Sequence, residues 1–378
     1  MSKSRRYWLN IHRWLGLVCG AWFVVLGLSG SYLSFYQEID ALLNPELVTT
    51  SEGREHLSKA NLSDILYAAQ TSHPTRFVHS VFPPRNANDT YHVWTTVSAQ
   101  DDMSMWETLV DPYDVRVLGT RAAVPTIEFS QRNLSNTIYT LHYNLFLGEY
   151  GTTLAGIAGI CLLISSVSGI IIWWPRNRHW AIGMRIKSGA RGFRLHFDLH
   201  RVCGIYSVTV LMIVAFSGVF LSLPSFTKPI VHTFSKPNSA DLASPEIQPT
   251  AQSIINADIA LSEASKVMPN SRLVCLWLPG ASGNAWRVSL SRSGNIGLAG
   301  GRAEVWLNPA DGKVLAHRVH NDLSLGGRFL AWQLPLHDGS AAGLLGRILV
   351  CISGFMPLML MLTGLSIWWR KKRKASNF

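Results

Sequence analysis

The chain of 378 residues is 48% hydrophobic and only 15% charged, which is too apolar and too poor in charge for an average soluble protein of this size. Its net charge of +11 does not indicate a nucleic-acid ligand, because sixteen of the 34 Lys and Arg residues lie in three short segments that together contain one acid, Asp198. The five cysteines include no CxxC pair, so neither a disulfide framework nor a zinc or thiol-redox site is expected. The composition therefore indicates a membrane protein.

Four stretches contain no Asp, Glu, Lys or Arg and are each long enough to span a membrane as a helix, since about 20 helical residues cross the ~30 Å hydrocarbon layer. The first of them follows Lys3, Arg5 and Arg6, as the apolar part of a secretory signal does. It is too long for a signal and lacks a small-residue cleavage site, so we expect a permanent helix. The four stretches are Trp14 to Gln37, Tyr150 to Pro175, Val202 to Thr227 and Ile348 to Trp369.

The three basic segments set the predicted orientation. They precede the first stretch, run from Arg176 to Arg201 and close the chain from Arg370 to Lys374. By the positive-inside rule all three are cytoplasmic, so both termini lie inside and the two long connections lie outside, in the periplasm of a bacterium. The predicted organisation is 1–37 N-terminus and first span, 38–136 outer domain, 137–175 second span, 176–195 cytoplasmic loop, 196–227 third span, 228–332 outer domain, 333–369 fourth span and 370–378 basic cytoplasmic tail.

The two halves of the chain are an internal repeat of one another. His12-Arg13 matches His200-Arg201 at one constant offset that also aligns Ser29-Gly30 with Ser217-Gly218, and His142 matches His337 at a second constant offset. Both halves start and end in the cytoplasm, so the repeats are parallel and related by a pseudo-two-fold axis along the membrane normal. Equivalent residues then sit at equal depth. His12 and His200 share the inner border of the membrane, and His142 and His337 share the outer one.

The two outer segments repeat as well, each with one amphipathic helix followed by short strand-like runs and a turn. We therefore predict a membrane α-helical fold: a four-helix transmembrane bundle from two parallel repeats, each with an inserted small α+β domain. The helices are predicted at Leu62 to Ser72 and Ile254 to Val267. The strands are predicted at Arg76 to Phe82, Tyr91 to Val97, Thr108 to Val110, Val115 to Leu118, Arg272 to Leu278, Ala285 to Leu290, Glu304 to Leu307 and Lys313 to Leu315.

The repeated histidines are the candidate functional residues. For one histidine near hydrocarbon, a hydrogen bond to a carbonyl or a lipid headgroup is the simpler interpretation, but two symmetry-related pairs favour a cofactor between helices. A pair of imidazoles across a bundle suits the iron of haem b. We predict two haems, with axial ligands His12 and His200 in one layer and His142 and His337 in the other. His196 lies one turn before His200, so the alternative pairs His196 with His12 and leaves His200 beside the haem.

Three arginines and a set of glycines have two open interpretations. Arg13, Arg201 and Arg347 are either anchors that snorkel to the interface or partners of haem propionates. The glycines are those that close helix packing in membranes uses, although a flat macrocycle also requires small neighbours. They are Gly27, Gly30, Gly156, Gly159, Gly169 and Gly218.

The sequence contains no nucleotide-binding motif and no room for a flavin domain in its inner loop. No nucleotide-binding GxGxxG follows a strand, no P-loop motif occurs, and the inner loop is too short for a flavin domain. If the chain carries electrons, the donor is expected to be a quinol or a separate reductase on the cytoplasmic side.

Four motifs in fixed order carry a family resemblance. They are His12-Arg13-Trp14-Leu15-Gly16, Leu199-His200-Arg201-Val202-Cys203-Gly204, Leu141-His142 and Pro335-Leu336-His337-Asp338-Gly339, the last two before glycine-rich helices that end in Trp-Trp. Over nearly the whole chain this combination resembles the PepSY-associated transmembrane (PepSY-TM) family, and the outer modules resemble its PepSY-type domains. The family pattern usually has a bulkier residue where Cys203 stands, a difference that involves no proposed ligand.

The resemblance implies an iron-regulated protein of the bacterial inner membrane, similar to the di-haem ferric-siderophore reductases of the ferrioxamine type. It implies an oxidoreductase that passes electrons through two b-type haems to a ferric siderophore in the periplasm and releases Fe(II). One alternative is a haem relay for another periplasmic acceptor. Another is a non-redox membrane anchor whose PepSY-like domains restrain a periplasmic protease.

Overall fold

The computed structural model describes residues 3–51, 53–54, 56–97, 105–175, 180–242, 254–280, 285–292 and 302–376. Arg176 and Arg178 of the predicted inner loop and the last two residues of the basic tail lie outside these ranges. The chain forms two compact units. We call Met1–Phe35, Leu141–Pro229 and Trp332–Phe378 the helical unit, and Tyr36–Thr140 with Ile230–Ala331 the sheet unit.

The helices and strands have the following bounds. The helices are α1 (Lys3–Val18), α2 (Gly20–Leu33), α3 (Tyr36–Leu43), α4 (Pro45–Val48), α5 (Leu62–Ser72), α6 (Leu134–Asn144), α7 (Gly148–Trp173), α8 (Trp180–Gly183), α9 (Gly192–Ser222), α10 (Pro224–Phe234), α11 (Ala257–Val267), α12 (Leu325–Ala331), α13 (Gln333–Asp338) and α14 (Gly343–Ser376). The strands are β1 (Phe77–Phe82), β2 (Tyr91–Thr96), β3 (Met105–Val110), β4 (Val117–Ala122), β5 (Ser271–Trp277), β6 (Trp286–Arg292), β7 (Arg302–Leu307) and β8 (Val314–Val319).

The helical unit corrects the predicted four-helix bundle. Within the described residues, three helices are long and apolar enough to span a membrane: Gly148–Trp173, Gly192–Ser222 and Ser340–Arg373. The stretch predicted as the first span is divided between α1 and α2, which meet at an angle of 64°. Glycines at positions 16 and 20 flank the break, and residues without a Cβ are frequent where helices kink. Composition reports the length of an apolar stretch but not whether the helix through it is straight.

Close helix packing occurs at several of the predicted glycines. A Cβ built on Gly27 of α2 would lie 2.5 Å from the carbonyl oxygen of Gly354 in α14, so the two backbones approach directly. A Cβ on Gly159 of α7 would lie 3.0 Å from Val219 of α9. Helices in lipid have no hydrophobic driving force to associate, so they depend on the close van der Waals packing that small residues permit.

The sheet unit corrects the prediction of two separate inserted domains. Its strands form one antiparallel sheet in the order β4-β3-β2-β1-β5-β6-β7-β8, in which β1 pairs with β5 at Ser80↔Trp277 and Val81↔Leu276. Each half alone would expose one of these strands as an unpaired edge, and pairing the two halves removes both edges. The period-two pattern of a strand predicts the strand but not its neighbour. The predicted strand positions are otherwise confirmed to within a few residues, and α5 has the predicted bounds.

One face of the sheet is apolar, and the other is polar. Alternate side chains of β1, β2 and β5 to β7 pack with α5 and α11 into a single core, in which Ile65, Val81, Val93, Leu276 and Val288 have no exposed surface. The opposite face, which we call the polar face, carries cross-strand pairs such as Glu107↔Arg121 in the first half and Glu304↔Arg318 in the second. The helices α5 and α11 therefore cover only one side of the sheet.

Candidate cofactor site

The helical unit contains two pairs of facing histidines. The rings of His12 on α1 and His200 on α9 have their centroids 6.0 Å apart at an interplanar angle of 87°. The rings of His142 on α6 and His337 on α13 are also 6.0 Å apart, at 50°. The structure thus brings together the same pairs that the internal repeat relates.

All four histidines present Nδ1 to a backbone carbonyl of a neighbouring helix and to a hydroxyl on that helix. A carbonyl oxygen only accepts a hydrogen bond, so Nδ1 carries the proton and Nε2 keeps its lone pair. The contacts are His12 to Ser165 O (3.0 Å) and Ser168 Oγ (3.1 Å), His142 to Leu26 O and Ser29 Oγ (2.9 Å), His200 to Leu360 O (3.1 Å) and Thr363 Oγ1 (3.0 Å), and His337 to Val214 O (2.9 Å) and Ser217 Oγ (3.3 Å).

The hydroxyl groups support the same assignment of the proton. Each donates its own hydrogen to a carbonyl in the preceding turn of its helix, as Ser29 does to Val25 O at 2.7 Å and Thr363 does to Met359 O at 2.6 Å. Ser217 makes the equivalent bond to Ile213 O, and Ser168 donates to Ser165 O, three residues earlier, which is also the carbonyl that His12 contacts. The hydroxyl oxygen therefore accepts from Nδ1–H, and the imidazole is fixed in one tautomer and orientation.

A glycine follows each hydroxyl residue and makes room for the histidine ring. A Cβ built on Gly30 or Gly218 would lie 3.0 Å from Cε1 of His142 or His337. On Gly169 and Gly364 it would lie 3.3 Å and 3.4 Å from Cε1 of His12 and His200. We call a serine or threonine, the following glycine and the carbonyl four residues before that glycine a histidine cradle. The four cradles have the dipeptides Ser29-Gly30, Ser168-Gly169, Ser217-Gly218 and Thr363-Gly364.

Sequence reasoning missed the cradle hydroxyls, although a signal for them was present. Ser29-Gly30 and Ser217-Gly218 appeared in the repeat alignment, and we assigned no chemistry to either serine. The informative pattern is the recurrence of Ser-Gly or Thr-Gly within helices that otherwise contain few polar residues, although Ser353-Gly354 of α14 shares this pattern and contacts α2 rather than a histidine. Three of the glycines predicted to serve helix packing lie against histidines instead: Gly30, Gly169 and Gly218.

The separation of the paired rings suits a metal between them. A histidine nitrogen lies about 2 Å from a metal it binds and its ring centroid about 1 Å further back, so two imidazoles on opposite sides of one metal have centroids about 6 Å apart. Among the described residues no group of three or more His, Cys, Asp or Glu is arranged to hold a metal ion. Two nitrogen ligands per centre fit a metal whose other ligands come from a macrocycle, and the free Nε2 atoms supply those two nitrogens.

Comparison with known proteins gives the family. The family described as "PepSY-associated TM region" matches residues 9–371, a range that includes all four paired histidines. The chain belongs to this family. It is also similar to an uncharacterized protein of Pseudomonas aeruginosa, with 32% identity over 87 residues, which cover 23% of this chain and 21% of that protein. The match therefore spans about a fifth of the relative's length. Together with the long apolar helices, the family match makes the chain a membrane protein.

In this PepSY-TM protein the geometry at the first histidine pair favours His200 over His196. His200 faces His12 and is held by Leu360 and Thr363, whereas His196 is half-buried one turn earlier on α9. Because the contacts of His200 are made by Nδ1, its Nε2 is the nitrogen left for a metal. His196 as a ligand would also break the symmetry between the two cradles of the pair.

The three predicted propionate partners contact protein groups. Arg13 is exposed and lies 5.6 Å from the ring centroid of its neighbour Trp14. Arg201 forms an ion pair with the buried Asp198 at 3.0 Å and donates to the carbonyl of Arg185. Arg347 donates from Nε to the carbonyl of Ser34 at 2.8 Å and lies 4.6 Å from the ring centroid of Phe35. These contacts are those of anchored arginines, and the propionate role stays a prediction.

Proposed function

We propose that the protein is a haem-b electron relay of the bacterial inner membrane that reduces ferric siderophores on the periplasmic side and releases Fe(II). The observation that carries the proposal is the fourfold histidine cradle, arranged as two facing pairs in which, among the described residues, Nδ1 makes the hydrogen bonds of each ring and Nε2 makes none. Membership of the PepSY-associated TM region family supports it.

The residues that would hold the two haems are His12 with His200 and His142 with His337. Bound haem supplies one-electron transfer, which none of the amino-acid side chains present provides at these positions. The carbonyl and hydroxyl oxygens that accept from Nδ1–H increase the donor strength of Nε2 and fix the plane of each ring. The cradle glycines leave room for the imidazole ring itself, since a Cβ at these positions would lie 3.0 to 3.4 Å from Cε1.

Iron chemistry explains why such a relay would serve siderophores. The oxygen ligands of a siderophore are hard and favour Fe(III), so the chelate binds iron much more weakly after reduction. The proposed acceptor is therefore a ferric siderophore outside the membrane, and the proposed donor is a quinol or a separate reductase on the cytoplasmic side. The basic segments at 3–13, 176–201 and 370–374 support the orientation with both termini inside.

Reduced-minus-oxidised visible spectra of purified protein, produced with ample haem and iron, test the haem assignment. We expect two b-type haems per chain in the wild type, loss of one in His142→Ala or His337→Ala, and retention of both in the control His196→Ala. A wild-type sample without a haem spectrum would refute the proposal. Addition of ferric siderophores to the reduced protein tests the acceptor: reoxidation by at least one of them is expected, and reoxidation by none points to another acceptor.

A further inference from the structure

The second half of the polar face concentrates positive charge. Three arginines on neighbouring strands, Arg287, Arg302 and Arg318, surround one carboxylate, Glu304. Residues paired across antiparallel strands point to the same side of the sheet, so the register places these groups and Ser289 on one face. The pairs are Ser289↔Glu304, Arg287↔Trp306, Ser291↔Arg302 and Glu304↔Arg318. We call this set the arginine face.

The equivalent part of the first half has no excess of positive charge. There Arg121 contacts Glu107 at 2.5 Å and Asp40 at 2.7 Å, and His92 contacts the same Glu107. By strand register, His92 and Met105 occupy the positions of Arg287 and Arg302. One permanent cation thus meets two carboxylates in the first half, whereas three cations share one carboxylate in the second.

In the second half, Glu304 cannot satisfy all three arginines. It accepts from Arg287 at 3.1 Å and from Arg318, and Nε of both Arg287 and Arg302 has no hydrogen-bond partner within the part of the chain that the structure describes. Burial lowers the pKa of the Arg302 guanidinium even though Glu304 acts in the opposite direction. The protein therefore compensates the charged form of Arg302 only in part.

Ser289 adds a buried donor at the centre of the arginine face. Its side chain is 1% exposed, and its Oγ is likewise without a partner among the described residues. A buried polar group without a hydrogen bond costs free energy, so three such groups on one face indicate that a ligand completes them.

The arginine face is open to solvent at its rim and has aromatic walls. The side chains of Arg287 and Arg318 are 35% and 34% exposed, so their guanidinium groups are accessible while Ser289 lies deeper. Arg287 lies 4.1 Å from the ring centroid of Trp277, and Arg318 lies 5.5 Å from that of Trp306. The surface therefore combines guanidinium groups with tryptophan rings that lie against them.

We propose that the arginine face binds a carboxylate-rich anion, and that this anion is a ferric chelate of the carboxylate type. The second part rests on the proposed function. Arginine forks match carboxylates in a bidentate manner, the Ser289 hydroxyl can donate one further hydrogen bond, and the partly exposed Trp277 can pack against the carbon skeleton. The excess positive charge selects against a chelate that is itself cationic.

The test measures binding without electron transfer, by calorimetric titration of the detergent-solubilised full chain with gallium(III) citrate, which mimics the ferric chelate but is not reduced. The main variant is Arg302→Met, which places the residue of the equivalent first-half position, Met105. We expect affinity to fall by about tenfold or more, since tenfold corresponds to about 1.4 kcal/mol and charge-assisted hydrogen bonds contribute at least that much. The midpoint of thermal unfolding is expected to stay level or rise, because an unsatisfied buried group is removed.

The matched control is Arg292→Gln, which removes the same charge from the neighbouring strand β6 but on the opposite face of the sheet, where Arg292 is exposed. It should leave the affinity unchanged. Ser289→Ala is a second variant that removes only a hydroxyl without a partner among the described residues, and it should weaken binding with the fold intact.

Absence of gallium citrate binding, or an equal loss in Arg292→Gln, would overturn the proposal. Free citrate that binds as tightly as the gallium chelate would overturn its second part. Because gallium is not reduced and the titration needs no haem, a negative titration result does not bear on the haem assignment. A missing haem spectrum, conversely, leaves this binding result valid.

Discussion

The substitution Gly30→Ala tests the histidine cradle most directly. The added methyl carbon would lie 3.0 Å from Cε1 of His142, whereas carbon atoms pack best at about 3.5 to 4.0 Å, so the ring must move by about half an ångström or more. His142 is also held by Ser29 at 2.9 Å, so this movement strains its hydrogen bonds. Overpacking of this kind costs about 1 to 3 kcal/mol. We expect the haem affinity of the His142–His337 pair to fall by a factor of roughly 5 to 150.

The control for this substitution is Gly16→Ala on α1. A Cβ at Gly16 has no other atom within 4 Å, and both substitutions gain the same helix propensity of about 1 kcal/mol. The assay is the haem-to-protein ratio after competition with apomyoglobin, together with the reduced spectrum. Retention of full haem content in Gly30→Ala, or an equal loss in Gly16→Ala, would refute the reasoning that the glycine serves the histidine.

Three further predictions concern the cradle and the sheet unit. Thr363→Val removes the hydroxyl that accepts from His200 but keeps the carbonyl of Leu360, so the midpoint potential of one haem should rise as its imidazole becomes a weaker donor, which a redox titration measures. Glu107→Gln leaves buried Arg121 without part of its partner charge and should lower the free energy of unfolding by about 3 to 5 kcal/mol in a urea titration. The exposed pair of Lys313 and Asp311 offers a control, because Lys313→Gln should change the free energy of unfolding by less than about 0.5 kcal/mol. Burial raises the pKa of Glu107, but Arg121 and His92 bring that pKa far below its ordinary value. The ionised Glu107 therefore stabilises the fold above about pH 4.3, and this stability is lost as the pH falls below that value. Glu107→Gln should make the free energy of unfolding less dependent on pH in this acidic range.

Composition and periodicity predicted the elements of this fold, because apolar length and strand alternation are local properties. The helix Leu62–Ser72 and the strand positions follow from such patterns. Two features depend on contacts remote in sequence and were not predictable in that way. One is the bend at Cys19, which divides an apolar stretch of ordinary composition. The other is the pairing of Ser80 with Trp277, which joins the two predicted domains into one sheet.

The candidate site was predictable only in part. One constant offset identified His12 and His200 as equivalent, a second identified His142 and His337, and the fold brings each of these pairs together. The cradle hydroxyls were not found, because a serine in an apolar helix such as Ser29 can satisfy its own hydrogen bond with the carbonyl four residues earlier. Its second contact, with a ring on another helix, has no local signature.

The β1–β5 pairing also has a consequence for how the protein is made. The edge of β1 around Ser80 finds its partner at Trp277, roughly two hundred residues later in synthesis, and contacts so distant in sequence form slowly. Until then β1 is an open template for any other extended chain. The first half of the sheet unit should therefore be the aggregation-prone intermediate during biogenesis, and truncation before β5 should yield a product that needs a chaperone on the side of the membrane where it emerges.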